Sequence, residues 1–189
     1  LTLNWKRFLK NTIFLCPDAH EICKINPSGF QWFDINTEDK DYILSESKKA
    51  ESKLKQYEDE KYVLNESKKA EYKLNQYIEE VKLEYKLNNS QICLSGFSQG
   101  CMMSINIGLT SNEKFNCVVG FSGKIIDKAN LSKRISSKTK MLLLHGELDT
   151  VVPANNLLDI KDFLLRNKIE VETYMISDCE HHIPIKASS

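Results

Sequence analysis

The chain is 189 residues long, 41% apolar and 28% charged, enough for one globular domain with its own core. Its 26 Lys and Arg are matched by 26 Asp and Glu, so no basic excess marks a nucleic-acid or anionic-membrane partner. No apolar run approaches the roughly 18 residues of a membrane span, and the N-terminus has no apolar signal core.

In chain order, the first element expected is a buried strand over residues 11–16 (NTIFLC), ended by Pro17. From Phe30 to Ser95 there is no Gly or Pro. Those residues punctuate the backbone most strongly, so the stretch is predicted to be mostly long helix, over about 40–88. It contains a tandem repeat of 20 residues: YILSESKKAESKLKQYEDEK at 42–61 and YVLNESKKAEYKLNQYIEEV at 62–81. Two copies are too few to stack a solenoid. The second copy carries a helical stripe of Ala70, Leu74, Tyr77, Ile78, Val81 and Tyr85. The first is poorer, with Ala50, Leu54 and Tyr57. At about 100° per residue the repeat offset turns the face by roughly 200°, so both stripes cannot lie on one core. The second copy is expected to pack on the domain. The first is expected to be an added arm, or the helix bends between them. Pairs such as Glu51 with Lys55 suit a solvated helix, and the segment 42–88 could also take a protein partner.

Downstream, strands are predicted at 91–97, 117–121, 140–144 and 170–176, with helices at 99–109 and 154–167. Short, continuously apolar strands separated by helices indicate a mostly parallel sheet flanked by helices, the α/β class.

Chemistry concentrates at the ends of these strands. Residues 96–100 read GFSQG, with a strand leading in and an apolar helix leading out. A Gly-x-Ser-x-Gly segment in that context sets a serine on a tight turn, with small neighbours at Gly96 and Gly100 allowing strand and helix to approach. The helix N-terminus favours a developing negative charge, and the backbone N–H of Gln99 is the candidate oxyanion donor. A nucleophilic serine needs a base, and the base needs an orienting carboxylate. Asp149 lies five residues past Leu144, and the last predicted strand is followed by His181 and His182. His145 reads as a structural turn residue. His145, Asp149, His181 and His182 lack the H-x-H or H-x-x-x-H spacing of a metal centre, so none is expected.

The segments GFSQG, LHGELDTVVP and EHHI together resemble the phospholipase/carboxylesterase family of α/β hydrolases, which includes the acyl-protein thioesterases. TIFLCPDA and QWFDI are similar to family segments upstream of the nucleophile. The resemblance covers about residues 5–187 apart from the repeat. It implies an α/β-hydrolase fold with Ser98 as nucleophile, Asp149 as acid and His181 as base. His181 falls at the family position, with His182 variable and Ile183 apolar; the usual Gly before the histidine is Glu180 here. No metal or organic cofactor is implied, and the substrate is a small ester or thioester. Apolar residues near the elbow, Phe97, Met102, Met103, Trp32 and Phe33, could suit an acyl chain or be plain core.

Three departures stand out. No match to the family's Leu-His-Gly oxyanion loop and its strand lies upstream of Trp5. No match to the family's final helix follows Ser189, and Cys101 replaces a second glycine. The expected fold is therefore an α/β-hydrolase-like sheet lacking that oxyanion-loop strand, with a long helical insertion. Two functions are open: an esterase or thioesterase using Ser98, His181 and Asp149, or a catalytically impaired hydrolase acting as an interaction protein through its helical arm.

Cys16, Cys23, Cys93, Cys101, Cys117 and Cys179 include no C-x-x-C pair. They read as buried free thiols of a reducing compartment, so a cytoplasmic location is expected.

Overall fold

The computed structural model describes residues 2–23, 28–33 and 46–184, with the backbone alone for Leu3 and for 46–60. These fall into two compact units, Leu1–Pro17 with Asn75–Ser189, and Asp18–Leu74.

The first unit holds a parallel four-stranded sheet in the order β3 (Cys93–Phe97), β4 (Cys117–Phe121), β5 (Met141–Gly146), β6 (Val171–Ile176). Strands next to each other in sequence are next to each other in space, each pair joined through a crossover. Register is set by Leu94 opposite Val118, Gly120 opposite Leu143, and Leu143 opposite Thr173. On one face Val118, Met141 and Leu143 form a buried cluster with Cys101, Ile105 and Leu109 of α3 (Gln99–Thr110) and Leu157, Ile160 and Leu164 of α5 (Asn155–Arg166). Helix α5 is a one-sided helix: those three leucine and isoleucine positions are buried while Leu158 and Leu165 face solvent. Helix α3 is buried nearly all round. It lies so close to the sheet that a Cβ at Gly108 would press on the Val118 side chain. A short helix α4 (Lys128–Arg134) begins at Asp127, whose carboxylate accepts the Asn130 N–H at 2.9 Å. It adds Leu131 to the cluster. On the other face, Trp5 of α1 (Thr2–Trp5) meets Phe121, ring centroids 6.4 Å apart.

Residues 11–16 do not form the predicted strand. Ile13 is 62% and Leu15 40% exposed, and no ladder includes them. An apolar run becomes a strand only when a neighbouring strand takes up its N–H and C=O groups, and none of the described strands does. β3 likewise has one hydrogen-bonded neighbour, β4, among the described residues.

The second unit contains the two-residue antiparallel ladder of β1 (Glu21–Ile22) and β2 (Phe30–Gln31). It also contains the first part of the continuous 40-residue helix α2 (Glu46–Tyr85), which extends into the first unit. The stripe predicted for the second repeat is the covered side of α2. Ala70 and Ile78 are buried, Leu74, Tyr77, Val81 and Tyr85 half-buried, and Tyr72 and Leu83 exposed. Glu66 is also buried on this side, and Lys69 Nζ donates to its carboxylate at 2.6 Å. The first copy's stripe, Ala50, Leu54 and Tyr57, lies outside the residues whose side chains are described. No helix among the described residues is long and apolar enough to cross a membrane.

Candidate active site

β3 runs into Ser98 and α3 leaves from it. Ser98 has φ 52° and ψ −116°, a conformation that costs a non-glycine residue about 1–3 kcal/mol. The surroundings over-determine it. The Ser98 N–H donates to the Phe121 carbonyl at 2.8 Å, and the Ser98 carbonyl accepts the Met102 N–H at 3.1 Å. Gln99 opens α3 directly behind the serine.

The two glycines of the pentapeptide are not equivalent. A Cβ at Gly96 would overlap the backbone of Gly100 and Cys101, whereas a Cβ at Gly100 would meet nothing. Only Gly96 is required by the close approach of strand and helix, which narrows the expectation for the pair. Gly96→Ala should therefore destabilise the protein by about 1–3 kcal/mol. Gly100→Ala should be neutral or stabilising by up to about 1 kcal/mol, because alanine is the better helix former. Urea unfolding of the two variants decides it, and equal destabilisation would contradict this account. Cys101 fills the room that Gly120 and Gly123 leave, since its Sγ occupies the space that a Cβ on either would need.

Asp149 follows β5 in a loop that its own side chain shapes. Oδ1 accepts the N–H groups of Val151 at 3.0 Å and Val152 at 2.8 Å. Oδ2 accepts from His181 Nδ1 at 2.7 Å. The side chain has no exposed area. Burial alone would raise the Asp149 pKa, but hydrogen bonds from His181, the Val152 N–H and the Ser122 side chain outweigh it. The carboxyl is held below its usual range.

His181 reaches this carboxylate because the loops after β5 and β6 are tied together. The Leu148 N–H donates to the Cys179 carbonyl, and the Glu147 N–H to the Ile176 carbonyl, both at 2.9 Å. Gly146 has no side chain to block them; a Cβ there would overlap the carbonyls of Cys179 and Glu180. A carboxylate only accepts, so His181 carries its proton on Nδ1. Its Nε2 lone pair then faces the Ser98 hydroxyl, 3.1 Å away. The imidazole lies against the Phe97 ring, centroids 4.7 Å apart, and its side chain is 17% exposed. His182 turns away, with Nε2 3.9 Å from Cys179 Sγ.

Two further residues shape the site. His145 is fully buried and its Nε2–H donates to the Val152 carbonyl at 2.8 Å, with Asp149 Oδ2 3.4 Å away. It braces the Asp149 loop from within β5 rather than from a turn. Ser122, at φ 49°, directly follows β4, and its side chain is among the groups that lower the Asp149 carboxyl. Nothing in the sequence singled out Ser122. The only signal is a serine followed by glycine just after a strand (GFSG), and no spacing rule links it to Asp149. Met102 and Met103 are buried, while Trp32 and Phe33 belong to the other unit. Among the described residues no group of three or more His, Cys, Asp or Glu is arranged to hold a metal ion.

The sequence profile of the phospholipase/carboxylesterase family matches residues 1–187. The chain belongs to that family. Among its phospholipase/carboxylesterase relatives, acyl-protein thioesterase 1 of Emericella nidulans is 30% identical over 163 residues, 81% of this chain and 63% of the relative. Acyl-protein thioesterase 1 of Aspergillus fumigatus is 30% identical over 95 residues, 48% of this chain and 38% of its own length. The chain thus spans less than two thirds of the curated relatives it matches. The crystal structure of esterase PE8 superposes with a TM-score of 0.85 at 26% identity, covering 99% of this chain and 79% of that one. Arabidopsis thaliana SOBER1 shares the fold, with a TM-score of 0.70 at 20% identity over 99% of this chain and 84% of that one. The fold is that of an α/β hydrolase, with a parallel sheet flanked by helices.

Proposed function

We propose that the chain is a serine hydrolase that cleaves carboxylic esters or thioesters by acyl transfer. The reading is carried by one observation, the unbroken hydrogen-bonded line from Ser98 Oγ through His181 to Asp149 at the end of three parallel strands. In this mechanism His181 Nε2 takes the Ser98 proton as Oγ attacks the substrate carbonyl. Asp149 holds the imidazole in the Nδ1–H form and stabilises the imidazolium. The backbone N–H of Gln99, at the N-terminus of α3, faces the oxyanion of the tetrahedral intermediate. His181 returns the proton to the leaving alcohol or thiol, leaving an acyl-serine. Water activated by the same histidine then releases the acid. The thioesterase names of the fungal relatives favour thioesters among the substrates.

The test is covalent. Incubation of the chain with a fluorophosphonate probe should label Ser98, identified by peptide mapping, and a p-nitrophenyl ester should be turned over in proportion. Absence of both would sink the proposal. It would leave the other reading, a hydrolase-derived interaction protein working through residues 42–88.

A further inference from the structure

Cys93 and Cys117 start the adjacent strands β3 and β4 and are partners in the parallel register. Their Sγ atoms lie 3.3 Å apart. Both belong to the sheet face away from α3, because Val118 and Gly120 are the β4 residues that meet that helix and side chains alternate along a strand. Cys93 is exposed and Cys117 partly so, in contrast to Cys101 and Cys179, which are buried. The pair sits at the far end of β3 from Ser98, about 16 Å along the strand at ~3.3 Å per residue. The hydrolytic mechanism makes no use of it.

We propose that Cys93 and Cys117 form an oxidisable dithiol, closed to a cross-strand disulfide by a hydroperoxide. The backbone already suits the bond. Neighbouring strands lie about 4.8 Å apart, within the roughly 4.4–6.8 Å between Cα atoms that disulfides occupy. The sulfurs need to close only from contact distance to about 2.0 Å, a motion that side-chain rotation supplies. The two thiols are also chemically unequal. The Cys93 S–H can donate to a Cys117 thiolate, and the Lys140 ammonium adds its charge; together they outweigh partial burial and lower the Cys117 thiol to about 7. Cys93 is raised, first by its hydrogen bond with Cys117. The Lys140 ammonium acts on Cys117 and not on Cys93, which favours Cys117 as the attacking sulfur and Cys93 as the resolving one. By contrast, burial pushes the Cys101 thiol up to about 12.

The reaction balances in two steps. The Cys117 thiolate attacks one peroxide oxygen and the O–O bond breaks. The departing oxygen takes a proton to become water (or an alcohol, from an organic hydroperoxide), and Cys117 is left as a sulfenic acid. The Cys93 sulfur then attacks the sulfenic sulfur, the S–S bond forms, and the S–O bond breaks. The hydroxyl leaves as water with the Cys93 proton. Two thiols lose two electrons and the peroxide gains them.

The full chain should be treated with hydrogen peroxide, blocked with iodoacetamide, and mapped by mass spectrometry. The expected result is loss of both alkylatable thiols at Cys93 and Cys117 and a linked peptide pair about 2 Da lighter than its reduced halves, reversed by dithiothreitol. In Cys93→Ser, with its fold checked by circular dichroism, dimedone should trap a sulfenic acid at Cys117. The proposal is overturned if Cys93 and Cys117 stay alkylatable under peroxide that oxidises Cys16 or Cys23. Linkage of Cys117 to any cysteine other than Cys93 overturns it as well.

Discussion

Ser98→Ala should remove fluorophosphonate labelling and lower ester turnover by about 10⁴–10⁶-fold in kcat, the scale seen when the nucleophile of such a relay is deleted. KM should change far less, because the hydroxyl acts in the transition state and contributes little to ground-state binding. Stability should move by only about 1 kcal/mol, since the variant loses the 3.1 Å contact with His181 and keeps the backbone bonds to Phe121 and Met102. Alanine is no easier than serine at φ 52°, so no strain is released to confuse the comparison. Turnover within tenfold of the parent, from a variant with an unchanged circular dichroism spectrum, would mean that the hydrolysis arises elsewhere.

Asp149→Asn should lower kcat by about 10³–10⁴-fold while leaving the loop in place. The amide oxygen can still accept the Val151 and Val152 N–H groups that Oδ1 now accepts. The amide nitrogen would then face His181 Nδ1, where Oδ2 now sits. It donates, so it favours the tautomer with the proton on Nε2, pointing at Ser98, and the serine loses its base. The same substitution has an acid-stability signature. The Asp149 carboxyl is held below its ordinary value of 3.8 in the folded chain. Its ionised form therefore contributes stability that is complete above the unfolded pKa. That contribution is lost as pH falls through 3.8 and on through the folded value. Urea midpoints measured from about pH 5 down to about pH 2 should fall less steeply for Asp149→Asn than for the parent. A parallel loss in both proteins would show that Asp149 is not the group being titrated.

Much of the fold was legible because the relevant signals are local. The run at 117–121 is short and apolar, and that at 170–176 is rich in β-branched and aromatic residues; they appear as β4 and β6 within a residue. Helix α5 (Asn155–Arg166) forms within the expected 154–167. Helix α4 escaped notice because seven residues with one buried side chain, Leu131, carry no period to read. The run at 11–16 misled for the opposite reason. Its composition is that of a strand, but composition does not encode whether a partner edge is present.

At the site, the chain order of Ser98, Asp149 and His181 at the ends of three strands could be read from the letters, since each follows an apolar run. The adjacent histidines 181 and 182 look nearly alike in sequence. The loop backbone separates them, sending one ring to Asp149 and the other to Cys179. The bracing of the Asp149 loop by His145 was out of reach. It depends on loops that meet only after β4, β5 and β6 have aligned, and on Gly146 leaving room for the carbonyls of Cys179 and Glu180. Residue types and their order thus settled the class of fold and the candidate chemistry, because periodicity and strand-end motifs are properties of neighbours in sequence. The 2.7 Å and 3.1 Å spacings that join Asp149, His181 and Ser98, and the meeting of Cys93 with Cys117, came only with the tertiary structure. Such distances depend on sheet register and loop packing between residues up to 83 positions apart, and no local pattern carries them.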